Sequence, residues 1–147
     1  MGLLSRFRSG TPSVALFVDG PNVLRNEFDV DLQDLREAAA QQGNLRVSRL
    51  YLDQNASAGL IQAAEANGFD VRVTSGDVDV RLAVDATALL FTEDIDCLAV
   101  ASRDTDFKPL LETANRVGVR TVALAPGTHG RSDALSNAAH DAVLLDT

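Results

Sequence analysis

Residues 99–111 read AVASRDTDFKPLL. A run of small apolar residues that begins at Cys97 breaks off at Arg103, and two aspartates follow one residue apart, Asp104 and Asp106. Helical spacing then begins, with Pro109 where the first turn of a helix tolerates it. The stretch predicts a buried strand over 97–102, a helix over 105–118 capped by Gly118, and acidic side chains at the junction. VALFVDG, residues 14–20, repeats the arrangement, an almost continuous apolar run ending in Asp19 and Gly20. An unbroken apolar run bounded by turn residues suits a strand covered on both faces, and parallel sheets are built of such strands.

The rest of the chain alternates in the same way. Helical spacing predicts helices over 31–43, with Leu32, Leu35 and Ala39 on one face and Gly43 as a stop, and over 57–68, closed by Asn67 and Gly68. A third helix is predicted over 78–91, with Val80, Leu82, Ala83, Ala86 and Leu90 available for burial, and a short one over 132–140. Strands are predicted over 46–53, 69–75, 119–125 and 142–146. Five alternations of strand and helix predict an α/β fold with a mostly parallel sheet, right-handed crossovers and helices on both faces. Residues 1–12, rich in Gly, Ser, Arg and Thr, are predicted to form a flexible tail and residues 13–147 a single domain. A chain of 147 residues is long enough to hide roughly 70% of its unfolded surface.

Charge narrows the function classes. The net charge is -8, with 16 aspartates, 5 glutamates, 12 arginines and one lysine, Lys108. Such a chain does not wrap nucleic acid through bulk positive charge. The bias suits a salt-adapted cytoplasm, where a Debye length of ~3 Å at 1 M salt lets an acidic protein approach a polyanion if metal ions bridge the contact. No apolar run approaches the ~18 residues of a membrane span. The first residues, MGLLSRFRSGTPS, lack the apolar core of a signal peptide. Cys97, the one cysteine, cannot form an internal disulfide and reads as a core residue.

Sites in open α/β sheets form beyond the carboxyl ends of the strands, where strand order reverses. If strands 14–18 and 97–101 are neighbours, Asp19, Asp104 and Asp106 converge there. Asp79 opens the helix before the second of these strands, and Asp85 lies six residues on, about 120° around the helix. Crowded carboxylates raise one another's pKa values. The usual resolution is a hard divalent cation, Mg²⁺ or Mn²⁺, whose waters are available for attack on phosphorus. Plainer readings stand beside this one: Asp19-Gly20 as a turn, and Asp79, Asp104 or Thr105 as helix caps. Asn22 is a turn residue or a group that orients Asp19. Ser102 is a cap or a phosphate contact. Arg103, Lys108 and Arg81 are the nearest cations, placed to meet an RNA backbone or simply solvated. His129 and Arg131, in APGTHGR, read as a surface loop or one that closes over the site. His140 has no expected catalytic role, and Phe107 reads as a core anchor.

Taken together, VALFVDGPNV at 14–23, SGDVDVRLAVDA at 75–86 and ASRDTDFKPLL at 101–111, followed by GVRTVALAPG and SDALSNAAHDAVLL, make the chain resemble the NYN domain. This is a branch of the PIN-like metal-dependent ribonucleases, and the likeness is to its LabA-like group over about residues 13–147. The resemblance implies a three-layer PIN-like fold of five to six strands in the order 3-2-1-4-5, with the site over strands 1 and 4. It implies Asp19, Asp79, Asp104 and Asp106 as the metal-holding catalytic set, with Asp85 as a further ligand or general base and Asn22 supporting Asp19. Asn22, Ser102, Arg103 and Lys108 are the candidates for substrate contact. The activity implied is cleavage of RNA with Mg²⁺ or Mn²⁺, by a protein that pairs as a homodimer. The chain departs from the pattern at Asp77 in SGDVD, near where many members carry a lysine, and at His140, where aspartate is common. Two other readings remain. One is an RNA- or protein-binding regulatory module of the same fold with negligible turnover. The other is a phosphatase of the haloacid dehalogenase type, for which DGPN lacks the second acid.

Overall fold

SVALFVD has six successive buried residues after a half-buried serine, and CLAVA is buried at all five positions. Strands with no solvent-facing side belong in the middle of a sheet covered on both faces. The computed structural model describes residues 10–24, 31–126 and 137–145. In chain order they form β1 (Ser13–Asp19), α1 (Gly20–Val23), α2 (Leu32–Ala40), β2 (Asn44–Asp53), α3 (Ala58–Ala66), β3 (Asp70–Thr74), α4 (Val78–Thr92), β4 (Cys97–Ala101), a 3-10 turn (Thr105–Phe107), α5 (Lys108–Arg116), β5 (Arg120–Pro126) and β6 (Asp141–Leu145). The strands make one sheet in the order β3-β2-β1-β4-β5-β6, and every pairing is parallel. The expected order is kept, with the sixth strand outside β5. The chain runs outward from β1 to β3, then returns to the other side of β1 as β4. Strand order therefore reverses between β1 and β4, where open α/β sheets gather their ligands.

Alternation along β1 decides what lies on each face. Val14, Leu16 and Val18 pack with Leu35 and Ala39 of α2 and Ala64 of α3. Ala15 and Phe17 point the other way, to Leu82 and Ala86 of α4 and Leu111 and Ala114 of α5. Tyr51 of β2 stacks on Phe17 in this second layer, with ring centroids 6.0 Å apart. Phe107 is fully buried there, as expected of a core anchor.

One expectation for α4 fails. Leu82, Ala86 and Leu90 are buried, joined by Val78 and Leu89, but Val80 is 57% exposed. At about 100° per residue, Val80 sits roughly 160° from the stripe that starts at Val78. Hydrophobicity offered it to the core, and helix phase turned it outward.

The helix ends follow the sequence closely. Gly68 adopts φ 91°, its N–H donates to the Glu65 carbonyl, and Phe69 N–H donates to Ala64. This left-handed cap satisfies the last carbonyls of α3, and a residue with a Cβ would be strained there. At the far edge His140 fastens β6 to β5: its Nδ1 accepts the Thr121 N–H at 2.9 Å, and its own N–H donates to Thr121 Oγ1 at 3.0 Å.

Residues 1–9 of the expected tail, residues 132–136 of the expected last helix, and His129 and Arg131 lie outside the described residues. No helix among the described residues is long and apolar enough to cross a membrane.

Candidate active site

Asp19 is two residues beyond Phe17, so it projects to the α4 and α5 side of the sheet. Val18 pairs in register with Ala101, which brings the next residue on each strand, Asp19 and Ser102, side by side. Ser102 is fully buried. Its hydroxyl donates to Asp19 Oδ2 at 3.2 Å and accepts the Asp104 N–H at 3.0 Å. The expected contact of Ser102 with substrate is corrected by this geometry: the hydroxyl is enclosed and joins two acid-bearing loops. Asn22 has a similar task. Its Oδ1 accepts the Arg103 N–H at 2.9 Å, so the side chain anchors the loop after β4, while its backbone hydrogen-bonds the Asp19 carboxylate.

Gly20 completes the support. It does not adopt a positive φ. A Cβ there would instead meet the Tyr51 carbonyl oxygen and the Leu52 side chain, each at 2.5 Å. The glycine reserves space for backbone, and the loop after Asp19 can press against β2 only because of it. Gly20→Ala is expected to cost about 1–3 kcal/mol through overpacking, read as a lower urea midpoint at unchanged m-value. An unchanged midpoint would show that the loop yields without strain.

Asp104 caps the 3-10 turn, its Oδ1 accepting the Asp106 N–H at 2.9 Å. The helix-cap reading of this residue holds, and the cap uses only one of its two carboxylate oxygens. Asp79 stands in the first turn of α4. Carboxylate oxygens of Asp79, Asp104 and Asp106 lie within 4.8 Å of one another. Asp19 and Asp104 line one open cleft of about 350 Å³ together with Asp79, Asn22, Asp53 and Asp77. A larger groove of about 540 Å³ lies elsewhere, between α2 and the end of α3, lined by Arg36, Leu45 and Gly68 among others.

Electrostatics agrees with the crowding. Burial pushes the Asp19 carboxyl up to about 6; the Ser102 hydrogen bond opposes this, and the charges of Asp104 and Asp79 add to it. The Asp104 charge holds Asp106 above the usual carboxylate range, with a smaller push from Asp79. An all-oxygen, all-anionic donor set with close spacing fits a hard divalent cation. Such a cation also relieves the repulsion that the protein otherwise bears.

Asp85 stands apart from this set. Its Oδ2 accepts the Tyr51 hydroxyl at 2.7 Å, and Arg81 Nε approaches both of its oxygens at 3.2 Å. It belongs neither to the three-carboxylate cluster nor to the cleft lining. The six-residue step from Asp79 turned it toward β2. Lys108 and Arg103 both lie near the acids: Lys108 shares a groove with Asp79 and Asp106, and Arg103 directly precedes Asp104. Sequence reasoning missed Asp53 and gave Asp77 no place at the site. The signal for Asp53 was available, since RLYLD ends in an acid just as β1 does.

Comparison with known proteins agrees with this architecture. Residues 13–146 match the NYN domain. An uncharacterized protein of Methanocaldococcus jannaschii, MJ0482, is 42% identical over 135 residues, which are 92% of this chain and 56% of that protein. The chain thus spans about half the length of the curated relative it matches. A solved structure from Vibrio parahaemolyticus, VPA0982, described as a protein of unknown function, superposes with a TM-score of 0.79 at 21% identity. That match covers 94% of this chain and 95% of the other, and it shows a shared fold.

Proposed function

The chain belongs to the NYN domain family, a branch of the PIN-like superfamily, and from that premise we propose that it is a ribonuclease that hydrolyses RNA phosphodiester bonds with Mg²⁺ or Mn²⁺. The observation that carries the reading is the meeting of Asp79, Asp104 and Asp106 oxygens within 4.8 Å, near the reversal of strand order between β1 and β4. Asp79, Asp104 and Asp106 would hold the cation, with Asp19 beside them in the cleft. A divalent cation bound there would supply an activated water and offset the negative charge that develops in the reaction.

The remaining work belongs to the chain's own groups. Ser102 and the Asn22 backbone keep Asp19 aimed and ionisable against the cost of its burial. Asn22, through the Arg103 N–H, fixes the loop that carries Asp104. Lys108 and Arg103 receive phosphate oxygens next to the reacting one. Asp85 supports the site at one remove, bracing α4 against β2 through Tyr51.

The deciding test is incubation of the purified protein with labelled RNA in high-potassium buffer, comparing Mn²⁺, Mg²⁺ and EDTA. Cleavage that requires the metal is expected. A folded protein that binds RNA and metal without cleaving would replace the enzyme with a regulatory module. The net charge of -8 and the acid at Asp77 in the cleft are what favour that second reading.

A further inference from the structure

Arg36 of α2 reaches across to the end of α3, where its Nη1 donates to the Asn67 carbonyl at 2.6 Å. A cation bonded to the last carbonyls of a helix is an ordinary C-terminal cap. The guanidinium lies against Gly68, where a Cβ would come within 3.0 Å of Arg36 Cζ. The cap explains only one edge of the group. Nε is buried without a hydrogen-bond partner, and Nη2 beside it has none among the described residues. No carboxylate among the described residues pairs with Arg36, although the chain holds 21 acids. Nε and Nη2 form the edge of a guanidinium that grips a carboxylate through two parallel hydrogen bonds. A buried donor left unmet is destabilising, so an acceptor brought by a ligand gains what the fold forgoes.

We infer that the groove of about 540 Å³ that Arg36 lines binds a ligand carrying one carboxylate on a short aliphatic body, the carboxylate bridging Nε and Nη2 of Arg36. Nε is covered, so the second oxygen reaches it as an exposed wall side chain, Gln33 or Glu37, rotates aside. The guanidinium is already held by Asn67 and Gly68, so little freedom is lost on binding. Ala40, Leu45 and Ala66 give the walls an apolar surface for the body. Charge narrows the class further. Arg36 and Glu37 are the charged residues lining the groove, one cation and one anion. A single negative charge is accommodated there. The second charge of a phosphate monoester, or the many of a nucleic acid, would meet Glu37 and a chain of net charge -8. The groove is also separate from the acids. α2 and α3 pack on the sheet face of Val14, Leu16 and Val18, and α4, which carries Asp79, packs on the other. The inference therefore goes beyond the ribonuclease reading and stands or falls without it. The carboxylate has two sources, a small aliphatic acid or the C-terminus of a peptide, and both present the same chemistry.

The test follows the Arg36 Nε–H and Gly68 N–H signals in a ¹H–¹⁵N spectrum during titration, in EDTA so that no metal draws carboxylate to the acids. The probes are hexanoate, hexanamide, inorganic phosphate, and an N-acetylated Gly-Ala-Leu peptide with a free or an amidated C-terminus. Saturable shifts of both signals are expected with hexanoate or with the free-acid peptide, and the tighter of the two identifies the source. Hexanamide, the amidated peptide and phosphate are expected to leave both signals in place. Arg36→Lys keeps a donor for Asn67 but loses the fork, and is expected to weaken binding ~10-fold, read at Gly68. Ala66→Met keeps the guanidinium and narrows the groove from an exposed position. It is expected to weaken binding at an unchanged thermal midpoint, and it decides the matter if Arg36→Lys melts early. No saturable shift with either carboxylate overturns the inference. Equal shifts with hexanamide overturn it as apolar contact only, and equal shifts with phosphate as an adventitious ion only. Wild-type affinity in Ala66→Met overturns it as well. RNA cleavage is untouched by any of these results.

Discussion

Asp104→Asn is expected to lower metal-dependent RNA cleavage by about 10²–10³-fold, the scale on which one group stabilising transition-state charge is felt. Stability should change little. The asparagine keeps an Oδ1 that can accept the Asp106 N–H, now received at 2.9 Å, so the 3-10 turn keeps its cap. The backbone N–H of residue 104 still donates to Ser102. What is lost is a full negative charge in the cluster with Asp79 and Asp106. Cleavage rates in Mn²⁺ and a thermal melt of the same preparation check this together. A variant that melts like wild type and cleaves at the wild-type rate would remove Asp104 from the mechanism. A variant that loses both fold and activity would return it to a purely capping role.

Asp19→Asn is expected to do something opposite to the fold: stabilise it while abolishing cleavage. Burial raises the Asp19 carboxyl from 3.8 to about 6, so the native state binds this proton more tightly than the unfolded chain does. The stability that goes with protonation is fully present below the unfolded value. It is lost as pH rises through about 6, where the native group finally ionises. At neutral pH without metal, wild type therefore carries an ionised acid that the fold resists. Asparagine is neutral at every pH and avoids the cost. The gain is about 1–3 kcal/mol from a shift of that size, or roughly 3–9 °C in thermal midpoint for a chain of this length.

The pH profile distinguishes this cause from better packing. In EDTA the advantage of the variant should vanish near pH 4 and reach its plateau above pH 7. Added Mn²⁺ should stabilise wild type according to its occupancy and the variant much less, so the two curves approach one another. An advantage that persists unchanged at pH 4 would mean that the charge of Asp19 is not its source.

Most of the architecture was legible along the chain because its signals are local. The unbroken apolar runs of β1 and β4 announce strands buried on both faces, and Asn67-Gly68 announces the end of α3. The acids at the ends of β1 and β4 could be paired from sequence because strand ends in a parallel sheet share one edge. Where the reading failed, the deciding fact was angular or non-local. Val80 looked like core until helix phase turned it away. Asp85 read as a further ligand or a general base, and in the fold its carboxylate accepts the hydroxyl of Tyr51, 34 residues earlier in the chain. Ser102 looked available to substrate, but burial closed it and its hydroxyl went to Asp19, 83 residues away. Asp53 is the exception: it ends β2 as plainly as Asp19 ends β1, the expected strand order already set the two side by side, and its place in the cleft was overlooked rather than hidden.

Sequence by itself therefore determined the order of elements, the parallel sheet and the accumulation of carboxylates at one edge, since periodicity and strand-end chemistry act over a few residues. Tertiary structure decided which of those carboxylates meet and how each is held. It also left two valines facing solvent beside the acids. Helix phase, strand register and burial set which side chains share a face and how strongly charge is resisted, and only the folded chain fixes all three at once.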